Sequence, residues 1–274
     1  MTTETLYKVL NDDGSCAHGG TGKWFLPHDK RPGRWMPAVN GKLIACLNGY
    51  HLCRASDLVY WLGPVIWEAE HDGDVLVAED KLVVRRTRLL RRVSTWTEHS
   101  ARLFAADCAE HVLSFFEEKY PNDTRPRQAI EAARLFAADN ITAAAMIAAR
   151  EAAWVAMEAA REVAGAAGEA AWVAALAARN AAWAAGESAR ESARKAAMEA
   201  AWTARKATGV AGRARGGHWA ASEAALAAYL PGQRNSVMHC YGGHWAASEA
   251  ALAAEQRWQT ERILWYLAGG TDTA

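Results

Sequence analysis

The chain has 274 residues, about half of them apolar, and its 31 basic residues balance 31 acidic ones. It is therefore long enough to bury a core and too apolar to be disordered. A net charge of zero argues against general nucleic-acid binding, which needs a surplus of positive charge. We see no secretory signal at the start and no apolar stretch long enough to span a bilayer, and the cysteine count is odd. These features predict a cytoplasmic protein with reduced thiols and no membrane contact.

The first 95 residues have the pattern of a small, mostly antiparallel β-sheet. Apolar or alternating segments followed by turn signals predict strands. The predicted strands are Leu6–Leu10, Lys42–Leu47, Val65–Glu70, Asp74–Ala78 and Lys81–Val84. A turn is expected at His71-Asp72-Gly73-Asp74, and a short helix at Ser56–Leu62. We therefore predict a small α+β module over residues 1–95.

From Thr97 onwards, alanine with glutamate and arginine recurs at helical spacing. One helix should run from Thr97 to about Lys119, and the next should begin at Arg125-Pro126. Further breaks are expected near Asp139-Asn140, Gly165–Gly168, Gly186, Thr208–Gly217 and Pro231–Gly243. We predict an α+β chain whose residues 96–274 form an Ala/Trp-rich helical bundle or helical-repeat domain.

Two segments of the chain are repeated without change. Residues 101–107 recur at 133–139, and the 13 residues 216–228 recur at 242–254, a spacing of 26. A match of that length indicates a segmental duplication that lengthened an array of helices. Helix-plus-turn units tolerate duplication, so the repeat by itself does not indicate a function.

Tryptophan is frequent among the alanines, and it has two interpretations. Alanine lets helices approach closely, and each indole ring fills about 150–250 Å² of the remaining interface. The rings can therefore be interhelical core, or they can line a groove that grips a partner helix or stacks a planar ligand. The candidate residues are Trp154, Trp172, Trp183 and Trp202.

A histidine-tryptophan step follows Gly-Gly in both copies of the longer repeat. The residues are His218, Trp219, His244 and Trp245. Exposed amides at a helix start and a stacking ring suit an anionic aromatic ligand such as a nucleotide. The alternative is that these side chains pack the entry of each helix.

An arginine cluster and a cysteine–histidine set are the remaining candidates. Arg85, Arg86 and Arg88 could contact phosphate, or they could lie on a solvated edge strand or interdomain linker. Cys46, His51 and Cys53 are zinc-ligand types, but they lack a Cys-x-x-Cys pair. We predict neither a metal nor a cofactor. No residue set matches a known catalytic pattern, and an enzymatic first module that uses His51 is the last alternative.

Two stretches resemble known families. Residues from Leu103 to about Leu267 resemble an immunity-protein family of bacteria and phages. The similar segments are Leu103 to Leu113, Tyr120 to Arg127 with Ala129 to Arg134, and Trp258 to Leu267. The stretch Cys46 to Cys53 resembles an uncharacterised amino-terminal domain of phage and bacterial proteins. These resemblances imply a mobile-element setting and, for the helical part, an immunity role.

Three functions follow from these observations. The first is a non-enzymatic binding protein whose helical part recognises a host or competitor protein in phage immunity or counter-defence. The second is a protein that sequesters a nucleotide or another small ligand at sites lined by Trp and His. The third is a structural or assembly protein that forms homo-oligomers.

Overall fold

The computed structural model describes residues 4–162, 173, 177, 193–204 and 234–271, with side chains over 4–156, 173, 177, 193–204 and 249–271. An antiparallel sheet comes first and helices follow. The structure confirms the predicted α+β class. The breaks predicted near Gly165–Gly168, Gly186 and Thr208–Gly217 lie outside the described residues.

Four antiparallel strands form a curved half-barrel in the order β1-β3-β4-β2. The strands are β1 (Leu6–Leu10), β2 (Tyr50–Leu52), β3 (Val65–Val77) and β4 (Leu82–Arg92). The bounds of β1 agree with the prediction. One face of the sheet buries its own apolar cluster, which includes Leu10, Trp24 and Leu89.

The chain between β1 and β2 also lies against β4. Backbone amides of Gly33, Met36 and Val39 donate to carbonyl oxygens along β4 at 2.9, 2.8 and 3.0 Å. A side chain at Gly33 would collide with the carbonyl oxygen of Phe25, so this close approach requires glycine. β4 therefore has a neighbour along both of its edges.

The predicted strand Lys42–Leu47 is wrong. These residues form a turn closed by backbone bonds between Ile44 and Asn48, and the Asn48 amide donates to the carbonyl oxygens of Asn40 and Lys42. Cys46 adopts a φ of 64°, and Leu47 is 83% exposed. A short apolar run without alternation does not distinguish a strand from a loop, and side-chain bonds from Asn stabilise turns.

Two further strand predictions need correction. The turn expected at His71–Asp74 does not form, because β3 continues through it as one strand. Gly73, at a φ of 83°, is accommodated by a shift in pairing register between Asp72 and Val75.

The arginine cluster does not lie on an edge strand or a linker, since β4 extends to Arg92 and lies between β3 and β2.

The helices are α1 (Leu58–Trp61), which follows a 3-10 turn at Ala55–Asp57, α2 (Glu98–His111), α3 (Ser114–Glu117), α4 (Arg125–Ala137), α5 (Ala143–Glu162) and α6 (Arg234–Leu267). Residues 193–204 are also helical. No helix within the described residues is both long and apolar enough to cross a lipid bilayer.

The predicted starts of α2 and α4 are confirmed, whereas the predicted end of α2 and the break predicted at Pro231–Gly243 differ from the structure. Thr97 and Ser100 exchange hydrogen bonds of 2.8 and 3.2 Å that cap α2. α2 then ends at His111 and not near Lys119. The break predicted at Pro231–Gly243 is also wrong in part, because α6 begins at Arg234 and continues through Gly242-Gly243. Glycine costs a helix only about 1 kcal/mol relative to alanine, which an Ala-rich helix can absorb.

The half-barrel and the helices share one apolar core. Val9, Ile66 and Trp96 belong to the same buried cluster as Phe104 and Tyr266. Hydrogen bonds cross the same boundary: Trp96 Nε1 donates to the Gly63 carbonyl oxygen at 3.0 Å, and Thr95 Oγ1 donates to that of Leu267 at 2.6 Å. The end of α6 is thus held against the base of the half-barrel.

Candidate partner-binding site

A buried carboxylate on α2 joins three helices. Oδ1 of Asp107 forms an ion pair of 2.7 Å with Nη1 of Arg134 on α4. Its Oδ2 accepts hydrogen bonds of 2.6 Å from Nε of Arg262 and from the hydroxyl of Tyr266, both on α6. The side chain of Asp107 is only 4% exposed, so this charge depends on its partners for stabilisation.

One turn further along α2, His111 contacts α6 at the protein surface. A hydrogen bond of 2.6 Å joins its Nδ1 to Oε2 of Glu255, which is almost fully buried. The other oxygen of Glu255 accepts from Gln259 at 2.9 Å. The imidazole stacks on Trp258 at a centroid distance of 3.9 Å and an angle of 2°, and remains 40% exposed. The carboxylate and the indole together orient the imidazole ring.

Exposed ion pairs connect α2 and α3 with α4 around this point. Nη2 of Arg134 lies 2.5 Å from Oε2 of Glu110. Arg127 donates two hydrogen bonds, of 2.6 and 2.7 Å, to the carboxylate of Glu117. Hydrogen bonding to Glu117 raises the pKa of Arg127. Burial alone would lower the pKa of Arg134, but Asp107 and Glu110 raise it. Both arginines are therefore charged at any physiological pH.

We call this region the α2–α6 junction. It comprises Asp107, Glu110, His111, Arg134, Glu255, Trp258, Arg262 and Tyr266. The buried carboxylate of Asp107 is paired with Arg134 and Arg262. At the surface lie the carboxylate of Glu110, the guanidinium of Arg134 and the imidazole of His111 stacked on Trp258. Arginine and large aromatic side chains are frequent anchors of protein interfaces.

The junction is not arranged as a nucleophilic site. Cys108 lies beside it on α2 but is fully buried, and burial followed by the charges of Glu255 and Asp107 raises the pKa of its thiol well above the usual value. A neutral, inaccessible thiol is a poor nucleophile. Cys108 is therefore a poor candidate for covalent chemistry.

Only part of the predicted tryptophan set can be placed. Trp154 on α5 and Trp202 in the 193–204 helix are 39% and 43% exposed, so neither ring is fully buried in the core. Trp172, Trp183, His218 and Trp219 lie outside the described residues, and His244 and Trp245 fall within α6, where the described side chains begin at residue 249. Whether the tryptophan rings form interhelical core or line a groove is therefore not decided for the set, and both interpretations stay predictions.

The predicted arginine site on β4 is an ionic ladder with β3. Arg85 bonds to Asp74 at 2.9 and 3.1 Å, and Arg88 bonds to Glu70. Further pairs join Arg86 to Asp72 at 3.7 Å and Arg91 to Glu68 at 2.7 Å. The ring of Trp35 lies within 4.8 Å of both Arg86 and Arg88. Each of these arginines would have to exchange a carboxylate for a phosphate to bind nucleic acid.

The cysteine–histidine set has other partners in the structure. The amide of Cys46 donates to Nε2 of His51 at 3.1 Å, and burial lowers the pKa of that imidazole. Burial raises the pKa of the Cys53 thiol to about 12, and the backbone of Cys53 pairs with Tyr7. Among the residues that the structure describes, no three His, Cys, Asp or Glu side chains are grouped closely enough to hold a metal.

Comparison with protein families identifies the region that contains the α2 and α4 residues of the junction. Residues 91–179 match the family described as Imm-5 like putative immunity protein. This immunity-like segment includes α2, α3, α4 and α5, and it supports the resemblance drawn from the sequence as far as residue 179. No curated protein and no solved structure gives a significant match. The resemblances of Trp258–Leu267 to the same family, and of Cys46–Cys53 to an amino-terminal phage domain, stay predictions.

The sequence analysis did not single out any junction residue as a site. The signal was nevertheless present, because Asp107 is a charged residue on the buried, apolar face of an Ala-rich helix. A buried polar residue is more informative than an exposed one, since it requires a partner. What the sequence could not supply was that partner, because Arg262 lies 155 residues further along the chain.

Proposed function

We propose that the chain is a non-enzymatic, immunity-type protein that binds another protein through its helical part. The observation that carries this proposal is the match of residues 91–179 to an immunity-protein family. The same segment supplies the exposed groups of the α2–α6 junction on its α2 and α4 sides.

The proposed contact surface combines the junction with exposed tryptophans. Glu110, His111 and Arg134 supply polar contacts, and Trp154 and Trp202 supply apolar area. Interfaces of this kind gain most of their affinity from a few aromatic and arginine anchors. The partner is a protein of the host or of a competitor, and the setting is a phage or another mobile element with a role in immunity or counter-defence.

The proposed architecture follows from the same reasoning. A bundle of Ala/Trp-rich helices extends over residues 96–274 and was lengthened by duplication, and residues 1–95 form a module that adds to its surface. The ligand-sequestering and oligomer alternatives stay predictions. The histidine-tryptophan residues on which the ligand alternative rests lie outside the described side chains.

Co-expression tests the proposal directly. Each protein encoded beside this gene is expressed in bacteria with and without the full chain, and growth is measured. We expect one neighbour to be toxic alone and harmless with the chain. Failure of the chain to protect against any toxic neighbour contradicts the proposal.

Surface variants locate the contact. Glu110→Lys combined with His111→Ala should weaken binding of the neutralised partner at least about tenfold, which corresponds to about 1.4 kcal/mol. Glu118→Lys is the matched control, because Glu118 is exposed beyond the end of α3. Melting temperatures of the variants distinguish a lost contact from a damaged fold.

A further inference from the structure

Two residues that carry hydrogen-bond donors lie side by side on one face of the half-barrel sheet. Lys8 of β1 and Trp67 of β3 are directly paired in the antiparallel register. Residues that are directly opposite in such a pair project their side chains to the same face of the sheet. An ammonium group and an indole N–H can donate hydrogen bonds but cannot accept them. Neither residue can therefore satisfy the other.

Within the part of the chain that the structure describes, the indole N–H of Trp67 has no acceptor. The residue is only 7% exposed and packs with the apolar cluster of the half-barrel. A buried donor without an acceptor costs about 1–3 kcal/mol. Buried indole N–H groups usually do have a partner.

The ammonium of Lys8 forms no ion pair with a carboxylate of the described residues. It donates to the carbonyl oxygen of His51 at 3.1 Å and lies 4.9 Å from the ring of Trp24. Within the described part of the chain no carboxylate lies within 4 Å of it, whereas the nearby Lys81 has Asp80 at 3.1 Å. Burial lowers the pKa of Lys8, as expected for an amine away from water and without an anion.

The groups that act electrostatically on Lys8 are two thiols, Cys16 before Cys53, and not carboxylates. Burial raises the pKa of the Cys53 thiol to about 12, so that thiol is neutral at physiological pH. Burial, Lys8 and Lys81 lower the pKa of the His51 imidazole, whereas Asp80, the ion-pair partner of Lys81, raises it. The region thus combines a surplus of positive charge with unused donors.

We propose that Lys8 and Trp67 bind a small monovalent anion inside the half-barrel, of the size of a halide or a short carboxylate. Such an anion supplies acceptors for both donors and balances one surplus charge. The aromatic rings of Trp24 and Tyr50, 5.6 Å apart in an edge-to-face arrangement, pack in the same cluster as Trp67, and a site within this packed cluster favours a small occupant. This site is independent of the immunity role proposed for the helices.

Thermal unfolding of the full chain in different sodium salts tests this site. Formate, acetate and chloride are compared with gluconate, a bulky monovalent anion, at equal ionic strength. A bound anion raises the melting temperature with concentration by mass action. We expect a rise with at least one small anion, its loss in Lys8→Met, and its reduction in Trp67→Phe, which keeps the ring but removes the donor.

Lys30→Met is the matched control, since Lys30 is an exposed lysine of the same module. It should keep the wild-type response. An equal response in Lys8→Met and wild type, or no difference between small anions and gluconate, overturns the proposal.

A spectroscopic readout covers the case in which Lys8→Met does not fold. The indole N–H resonance of Trp67, assigned through Trp67→Phe, should shift on addition of acetate or chloride to the wild-type protein. A resonance that does not move with either anion also overturns the proposal.

Discussion

The same seven residues occur twice in this protein and adopt different roles. The first copy (residues 101–107) lies wholly within α2, whereas the second (residues 133–139) begins in α4 and continues past its end. Phe104 of the first copy is fully buried, but Phe136 of the second is partly exposed. Identical local sequence therefore specifies neither the same burial nor the same termination, because the neighbouring helices differ.

The two copies also complement each other. Arg134 of the second copy pairs with Asp107 of the first, and Arg102 of the first lies 5.0 Å from the ring centre of Phe136 in the second. The equivalent of Asp107 is Asp139, which is exposed and adopts a φ of 56° beyond the end of α4. The two copies of the short repeat thus contribute the two sides of one contact between α2 and α4.

The largest difference is expected between the two phenylalanines. Phe104→Ala should lower the free energy of unfolding by about 3–5 kcal/mol, because it leaves a cavity where the half-barrel and the helices share a core. Phe136→Ala should cost less than half as much, since its ring is partly hydrated already. Urea denaturation measures both values, and equal losses contradict the distinction.

The two aspartates should differ almost as much. Asp107→Ala leaves Arg134, Arg262 and Tyr266 without their shared acceptor, and breaking a buried ion pair costs about 3–5 kcal/mol. Asp139→Asn should change stability by less than about 0.5 kcal/mol, because asparagine tolerates the left-handed conformation and the site is exposed. The same denaturation experiment compares them, and a loss above about 1 kcal/mol at Asp139 counts against this interpretation.

The sequence predicted the local features of this comparison and missed the tertiary ones. The cap at Thr97 and the Arg125-Pro126 start of α4 depend on neighbouring residues and could be recognised. The network around Asp107 depends on α6, 155 residues away, and leaves no periodic signal. The strand expected at Lys42–Leu47 was wrong for a local reason, since hydrogen bonds from the side chain of Asn48 stabilise a turn there.

A smaller, pH-dependent effect is expected where α4 begins. Arg125 holds the pKa of Asp123 below its ordinary value of 3.8 through a bidentate hydrogen bond. A lowered folded-state pKa adds stability that is present above about pH 4 and is lost as the pH falls through the folded value. Asp123→Asn should therefore flatten the stability profile below pH 4. Identical profiles of stability against pH in the variant and the wild type contradict the pairing of Asp123 with Arg125.

The smallest effect is expected from the ladder on the sheet. The side chain of Arg91 is 75% exposed although it bonds to Glu68, and exposed ion pairs contribute about 0–1 kcal/mol. Arg91→Gln should therefore lower stability by less than about 1 kcal/mol, as measured by urea denaturation. A loss of stability as large as that of Asp107→Ala contradicts the expected difference between buried and exposed ion pairs.

The central claim is that α6 and the immunity-like segment form one structural unit through Asp107. A double-mutant cycle with Asp107→Ala and Arg262→Ala measures their interaction directly. Residues in one such network couple by about 0.5–3 kcal/mol, and we expect at least about 1 kcal/mol here. An interaction energy of zero within error shows that α6 is not joined to α2 through this contact, and contradicts the account.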